Sequence, residues 1–384
     1  MGSHHAAHTG DLAFSGPPSQ DSLIQAMRET SFYGRRRPAA VEHLETHISH
    51  VFLTDDLVYK VKKAVRFAFL DYSTLARRRY FLHEEFRLNR RLAPSVYLGV
   101  LPISYGSDGW ELGSNENPVE YTLIMRRLPA RRMLDRLLES NQVTPQMMRS
   151  VAEILAPFHT QAPTGGRINL AGHPKQVRKL WKENLSEIFP LVGRLLDAEC
   201  FGAVSDFGER FLTKYRDLME RRFEEGWIRE VHGDLHCEHV CFAPEGIQIF
   251  DCIEFSQKLR CCDLASEIAF LLMDLEVRGA KSLGKEFLTR YLELMDDRDL
   301  PSLLPFYKCY RAMVRGKVEG LRPNGASAHA MRYFEYAGHV TWEGFKPFII
   351  IVCGLTGSGK STLARALSQR LGVPVINSDA TRKA

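Results

Sequence analysis

No apolar run in the 384-residue chain approaches the ~20 residues that a membrane-spanning helix needs. Nor is there a charged start followed by an apolar middle, so no secretion signal is expected. The eight cysteines include no paired C-x-x-C and are scattered through apparent core segments. That usage suits free thiols in a reducing compartment, and a cytoplasmic location with no membrane partner is expected. A net charge of +5 is mild and no dense basic stripe is present, which argues against a nucleic-acid partner. What is there is ordinary for a folded enzyme or binding protein. Apolar residues make up 45% and charged residues 25%, and the length allows two or three domains with a substantial core.

The densest chemistry lies in residues 231–255, VHGDLHCEHVCFAPEGIQIFDCIEF. Asp234 sits on a tight loop after His232 and Gly233. Residues 240–242 read as a short strand, 243–246 as a Pro- and Gly-containing turn, and 247–250 as a second strand that delivers Asp251. A loop, a hairpin and an aspartate at each end can hold one carboxylate near a hydroxyl and another near a phosphate-bound metal. Phosphoryl transfer needs that arrangement, because positioning and charge neutralisation do most of the work.

Upstream, residues 47–53 and 57–62 read as antiparallel strands joined by a turn at 54–56. Alternation puts Val58, Lys60 and Lys62 on one face. Residues 73–92 form a long helix with Ser73 or Thr74 as its cap. Glu85 projects from a face shared with Phe81, Leu88 and Leu92. Residues 97–104 and 119–125 close a small sheet. From residue 131 onward helices dominate, including 132–139, 144–159, 180–196, 203–223, 263–275, 282–295, 304–321 and 327–342.

The H-G-D-L-H form of residues 232–236, with YKVKK at 59–63 and LNRRLAP at 88–94, resembles the aminoglycoside phosphotransferases and their kinase-like relatives. The resemblance implies an α+β, two-lobed protein-kinase-like fold. It divides the chain into a disordered tail (1–20), a nucleotide-binding lobe (21–128) and a mainly helical lobe with the catalytic loop (129–342). The implied reaction moves the γ-phosphate of ATP to a hydroxyl of a small molecule. In that scheme Asp234, with His232, serves the hydroxyl and Asp251 holds Mg²⁺. Lys60, with Lys62 as second choice, meets the α/β-phosphates, Glu85 orients the lysine, and adenine meets backbone near Met125. Glu254 is a supporting acid, Asp263 braces the catalytic loop, and His159 is structural. Residues 310–317 supply basic groups that either brace the fold or line the substrate site. Two departures stand out. No G-x-G-x-x-G lies between the early strands, which leaves residues 46–50 as the phosphate-covering turn. His239 replaces the usual metal-binding Asn: either it faces the metal, where an imidazole suits Mn²⁺ or Zn²⁺ better than Mg²⁺, or it points into the loop and hydrogen-bonds backbone.

The end of the chain carries a second nucleotide signature. Residues 348–353 are a continuous apolar run, as for a buried parallel strand. Gly354, Gly357, Gly359, Lys360 and Ser361 then complete G-x-x-x-x-G-K-S, and a helix runs from Thr362 to 371. Backbone N–H groups would cradle phosphates, Lys360 would reach the β/γ-phosphates and Ser361 would hold Mg²⁺. A strand at 373–376 would lead to Asp379 and Arg382, placed like the substrate acid and the Arg of small P-loop kinases. The segment, 346–384, resembles the opening of an AAA or zeta-toxin-like kinase domain. About forty residues cannot close a parallel α/β domain on both faces, so truncation or docking is expected. Two other function classes fit the residues. One is a regulatory nucleotide-binding module without catalysis, a pseudokinase controlling the P-loop. The other is an interaction protein stapled by zinc through His236, Cys237, His239 and Cys241.

Overall fold

The computed structural model describes residues 19–67, 70–107, 109–321, 327–343 and 349–377. They fall into two compact units. One comprises Met1–Met133 with Val240–Ser256, and the other Leu134–His239 with Gln257–Ala384. The structure is mixed helix and sheet, as the sequence predicts.

The first unit is built on a six-stranded antiparallel sheet. Its strands run in the order Glu42–Glu45, Ser49–Leu53, Leu57–Lys62, Pro118–Arg126, Tyr97–Gly106, Gly109–Leu112. The period of two decides what each face carries. Tyr59 and Val61 pack with Leu23, Ile24, Met27 and Phe52 on one face. Val58 joins Leu82, Leu123 and Met125 in the cluster on the other. Leu82 and Leu123 are fully buried, each contributing about 1.5–3 kcal/mol of apolar transfer. Lys60 and Lys62, two and four residues after Val58, therefore point into the face covered by the helix Leu75–Asn89. The Thr74 hydroxyl caps that helix by accepting from the Arg77 N–H. The hairpin Val240–Ala243 with Gly246–Ile249 pairs Val240 with Ile249 and turns at Gly246, whose φ is +127°. Phe250, just after it, packs against the second apolar cluster.

The second unit is mainly helical. Asp263 accepts from the Ala265 N–H at the head of the helix Leu264–Val277. Arg222, fully buried, grips both Asp263 and Asp297. This strut fits the structural part expected for Asp263. His159 is buried against the hydroxyl of Tyr291 at 2.7 Å, again inside the helical core. A short antiparallel pair, Ile228–Glu230 with Cys261–Asp263, has no counterpart in the sequence reading.

Four expected elements differ. The helix expected over 180–196 runs instead over Pro174–Ile188, and Pro190, with no N–H to donate, sits in the tighter turn that follows. The helix expected over 203–223 is two, Ala198–Lys214 and Arg216–Glu224, broken where Tyr215 leaves helical geometry. Residues 349–353 and 373–377 are not strands. A parallel strand exists only against a partner, and Ile349 and Ile351 are 90% and 83% exposed. The helix Lys360–Leu371 does form. Residues 1–18 of the expected tail, and Asp379 and Arg382, lie outside the described residues.

Candidate active site

In the first unit two lysines and three acids form one cluster. Lys60 Nζ donates to Glu85 Oε1 at 2.7 Å and to Asp251 Oδ1 at 2.9 Å. Lys62 Nζ donates to Glu85 Oε2 at 2.5 Å and also to Glu254 Oε1. Tyr72 donates its hydroxyl to the same Glu254 oxygen at 2.6 Å. Glu85 thus bridges both lysines, one through each oxygen. Its place on the helix is fixed from below, because Asn89 donates to the Glu85 carbonyl and accepts from the Cys252 N–H. One side chain, Asn89, ties the helix to the chain just beyond Asp251.

Exposure separates the members of this cluster. Glu85 and Lys62 are fully buried, Lys60 is 14% exposed and Asp251 43%. Lys60 and Asp251 are therefore the members able to meet a ligand. Burial alone would lower the pKa of Lys60, but the charges of Asp251, Glu85 and Glu254 outweigh it and raise the pKa well above the usual lysine range. Burial likewise pushes Glu254 up, yet Lys62 and Lys60 hold it below the ordinary carboxylate value. Asp251 has φ +63°, left-handed for a residue with a side chain, and its N–H donates to the hydroxyl of Tyr97 at 3.1 Å. Aspartate tolerates that backbone better than most residues.

Met125 sits in the sheet with its side chain in the second apolar cluster, and its strand pairs it with Val58 and Tyr97. In the turn at residues 46–50, the Thr46 hydroxyl takes the N–H groups of Ile48 and Ser49, at 3.4 and 2.9 Å. That turn therefore satisfies its own amides.

In the second unit the loop carrying Asp234 is held through its backbone. Glu267, fully buried, accepts from the N–H groups of His232 and Gly233. Arg311 donates to the Gly233 carbonyl at 3.0 Å. Gly233 has φ +85°, and a Cβ there would stand 2.9 Å from the Arg260 backbone, so only glycine fits. Burial pushes Glu267 up, to about 7. Burial also opposes the charge of Asp234, but His236, His239 and Arg315 hold its carboxyl far below the usual range. His239 Nδ1 lies 2.8 Å from the Asp234 carbonyl. Beneath the loop, Asp274 accepts from the Cys237 N–H and from the hydroxyl of Tyr333.

The structure thus gathers Lys60, Lys62, Glu85 and Asp251 in one unit, and His232, Asp234 and His239 in the other. Two features escaped the sequence reading. Lys62 has its own acid, Glu254, three residues beyond Asp251. Arg311 and Arg315, left open between bracing and substrate binding, brace the Asp234 loop through Gly233 and His236. Among the described residues, the cluster with metal-ligand spacing is Asp234, His236 and His239. It contains neither Cys237 nor Cys241, so the zinc staple expected through those thiols is not assembled.

At the P-loop sequence, Gly357 and Gly359 have φ +80° and +84°, conformations that suit glycine. Gly359 precedes the helix Lys360–Leu371, which places Ser361 and Thr362 in its first turn. Lys360 folds back to donate to the Leu355 carbonyl. A Cβ on Gly354 would come within 2.9 Å of the Ser358 hydroxyl.

Comparison with known proteins agrees with this layout. A proteome relative of Mycobacterium tuberculosis, carrying the name of an uncharacterised protein, is 33% identical over 347 residues, spanning 88% of this chain and 67% of its own length. The matching protein of Mycobacterium bovis gives the same figures. Among solved structures, the GDP complex of wild-type aminoglycoside 2'-phosphotransferase-IIIa superposes with a TM-score of 0.52 at 16% identity. That match covers 85% of this chain and all of the other, and it shows the shared kinase-like fold. An AAA domain model matches residues 349–384. The alternative of a regulatory module without catalysis gains no support from these likenesses. The model of the phosphotransferase enzyme family matches residues 54–306, more than half of the sequence, and to that family the chain belongs.

Proposed function

We propose that the chain transfers the γ-phosphate of ATP to a hydroxyl of a small molecule. The observation that carries this reading is Lys60, an ammonium held between a buried acid, Glu85, and a half-exposed one, Asp251. Two anchors fix the direction of Lys60 before any nucleotide arrives. Lys60 then meets the α/β-phosphates, and Glu85 and Lys62 hold it there. Asp251, the exposed acid of the cluster, suits a hydrated Mg²⁺, which binds carboxylate and phosphate oxygens and keeps its other waters. When bound, the ion neutralises charge on the phosphates. Asp234, kept anionic by its imidazole and guanidinium neighbours, takes or orients the hydroxyl proton, and His232 helps to fix its loop. His239 stands where kinases put a metal-binding Asn. Its nitrogen favours Mn²⁺ over Mg²⁺ as a second ion. The backbone near Met125 receives the adenine.

The P-loop is a separate phosphate site in this reading. The amides around Gly354, Gly357 and Gly359 cradle phosphates, Lys360 unfolds toward them, and Ser361 and Thr362 face the ion. Polyhydroxylated amines are the first acceptors to screen, since the structurally similar phosphotransferase is named for one.

Isothermal titration of Mg·ATP in a Lys360→Ala background, which removes the P-loop contribution, tests the main site. Asp251→Ala should lower the affinity at least ~10-fold, about 1.4 kcal/mol. Equal affinity with and without Asp251 would refute the assignment.

A further inference from the structure

The face of the six-stranded sheet turned away from Lys60 and Lys62 carries a hydrogen-bond chain apart from the lysine cluster. Cross-strand register pairs His43 with Phe52 and Glu45 with His50, and His50 in turn stands opposite Val61. Residues directly opposite share a face, so His43, Glu45, His50, Phe52 and Val61 lie together. Phe52 and Val61 are covered by Leu23, Ile24 and Met27 of the helix Gln20–Arg28. At one end of that helix Gln20 donates to the Lys62 carbonyl at 2.8 Å and accepts from the Ala64 N–H at 3.0 Å. At the other end Arg28 donates to His43 Nδ1, from Nη2 at 3.0 Å and from Nε at 3.3 Å. His43 Nε2 then lies 3.2 Å from His50 Nδ1. The His43 ring stacks between Phe52, at 4.6 Å, and His50, at 5.3 Å.

A guanidinium has donors only, and this fixes the protons of both rings. His43 Nδ1 must accept from Arg28, which puts the His43 proton on Nε2. That N–H donates to His50 Nδ1, which puts the His50 proton on its own Nε2. The chain therefore exists only while both imidazoles are neutral. An added proton on His43 Nδ1 would face Arg28, and one on His50 Nδ1 would face the His43 N–H. The surroundings oppose either proton. Burial and Arg28, with Lys63 behind them, hold His43 below the usual imidazole value against the pull of Glu45. Burial, Lys63 and His43 do the same to His50 against Glu45 and Asp21. Glu45 is itself taken up by Lys63 at 2.5 Å. An imidazole of the unfolded chain gains its proton near pH ~6.5, above the folded values. The stabilisation from this chain is thus whole above ~6.5 and is lost as pH falls from there through the folded values.

His50 ends the turn of residues 46–50. Within that turn the Thr46 N–H donates to the Ser49 carbonyl at 2.9 Å, and the Lys63 N–H reaches the Ile48 carbonyl at 2.9 Å. We propose that Arg28, His43 and His50 form an acid-sensitive latch on this turn, closed at neutral pH and opened by a proton on either ring. Opening leaves the Gln20 end of the helix in place and frees its Arg28 end together with the hairpin tip. Resting on the assignment of residues 46–50 as the phosphate-covering turn, acid weakens nucleotide binding through residues separate from Lys60 and Asp251.

Nitrogen-15 NMR of the imidazoles, on the full chain without nucleotide, reads the latch, so a failure of the phosphotransferase reading leaves this arm untouched. At about pH 7.5 both rings should carry their proton on Nε2, and both should titrate below ~6.5. In Arg28→Met the His43 tautomer should no longer be fixed and both midpoints should rise. Amide exchange at Ile48 and Ser49, corrected for the intrinsic rate, should quicken about 10-fold between pH ~7.5 and ~5.5 in the wild type, the loss of roughly one hydrogen bond. In Arg28→Met it should already be quick at the higher pH and change little on acidification. Arg28 is exposed at a helix end, and circular dichroism checks that the variant folds; should it not, His50→Phe, which removes the second ring, carries the comparison. A wild-type ring that titrates at or above ~6.5, a His43 proton on Nδ1 at neutral pH, or equal exchange profiles in wild type and variant would overturn the latch. In a second arm Mg·ATP is titrated in the Lys360→Ala background. Acidification over the same range should lower affinity about 10-fold more with Arg28 present than with Arg28→Met added. Protonation of ATP itself is common to both proteins and cancels. Equal losses would overturn the control of nucleotide binding, whereas no affinity at either pH would count against the phosphotransferase reading and leave the first arm to decide the latch.

Discussion

Lys62→Met separates bracing from ligand contact in the lysine cluster. Lys62 is fully buried, and its ammonium meets Glu85 and Glu254, themselves 0% and 5% exposed. Methionine keeps the volume and removes the charge. Three acids, Glu85, Asp251 and Glu254, would then share Lys60 alone. Breaking a buried pair by deleting one partner costs about 3–5 kcal/mol, because the remaining charge is left desolvated. For a unit of this size each kcal/mol moves the melting temperature by about 2–4 °C, so a drop of roughly 10 °C is expected. The sign of the pH dependence follows from Glu254. In the wild type its pKa lies below the ordinary value, against the pull of burial, because of Lys62 and Lys60. That stabilisation is present above the unfolded carboxylate pKa and is lost as pH falls through the folded one. Without Lys62, burial pushes Glu254 up and it takes a proton. The gap between mutant and wild type should therefore be widest near pH 7.5 and shrink as pH falls into the carboxylate range. Adding Glu254→Gln should recover part of the loss. Urea unfolding of the three proteins at pH 7.5 and pH 5 is the assay. A loss below ~1 kcal/mol, or one that ignores pH, would show that the cluster is not the buried charge device described.

Glu267→Gln should flatten another pH dependence. With a folded pKa of about 7, Glu267 keeps its proton while the unfolded chain has lost it, so stability falls as pH rises from ~4.5 to ~7, by about 3 kcal/mol in all. Unfolding curves across that window that slope equally in both proteins would rule out Glu267 as the cause. Lys360→Ala should leave phosphoryl transfer by the main site unaltered; a several-fold loss of turnover would mean that the P-loop governs it. His239→Asn should raise turnover in Mg²⁺ relative to Mn²⁺, and an identical metal preference in both proteins would remove His239 from the metal.

Much of this was legible because it repeats locally. Alternation placed Lys60 and Lys62 on one face, and helical spacing placed Glu85 inward. The turn chemistry of residues 243–246 found the hairpin. The partnership of Glu254 with Lys62 and Tyr72 was hidden, because those contacts span 192 and 182 residues and no periodicity links them. The same holds for Glu267 reaching the amides of His232 and Gly233. Helix ends failed where the backbone changed course without a loss of polarity, as at Tyr215. The apolar run before the P-loop read as a strand because hydrophobicity reports what a segment would bury, and it cannot report whether a partner is present.

The first unit is interrupted in sequence, and this has a consequence for its birth on the ribosome. Its sheet and helix are made first, but Asp251 and Glu254 arrive only after residues 134–239 have been synthesised. At ~5–20 residues per second that delay is roughly 5–20 s. Through it the nascent sheet carries Lys60 and Lys62 with Glu85 as their only acid from this cluster, and no hairpin covers Leu123 and Met125 through Phe250. The first unit therefore matures after the start of the helical one, and nascent chains halted before Ser256 would expose an unfinished lysine face to whatever anion or chaperone is nearby.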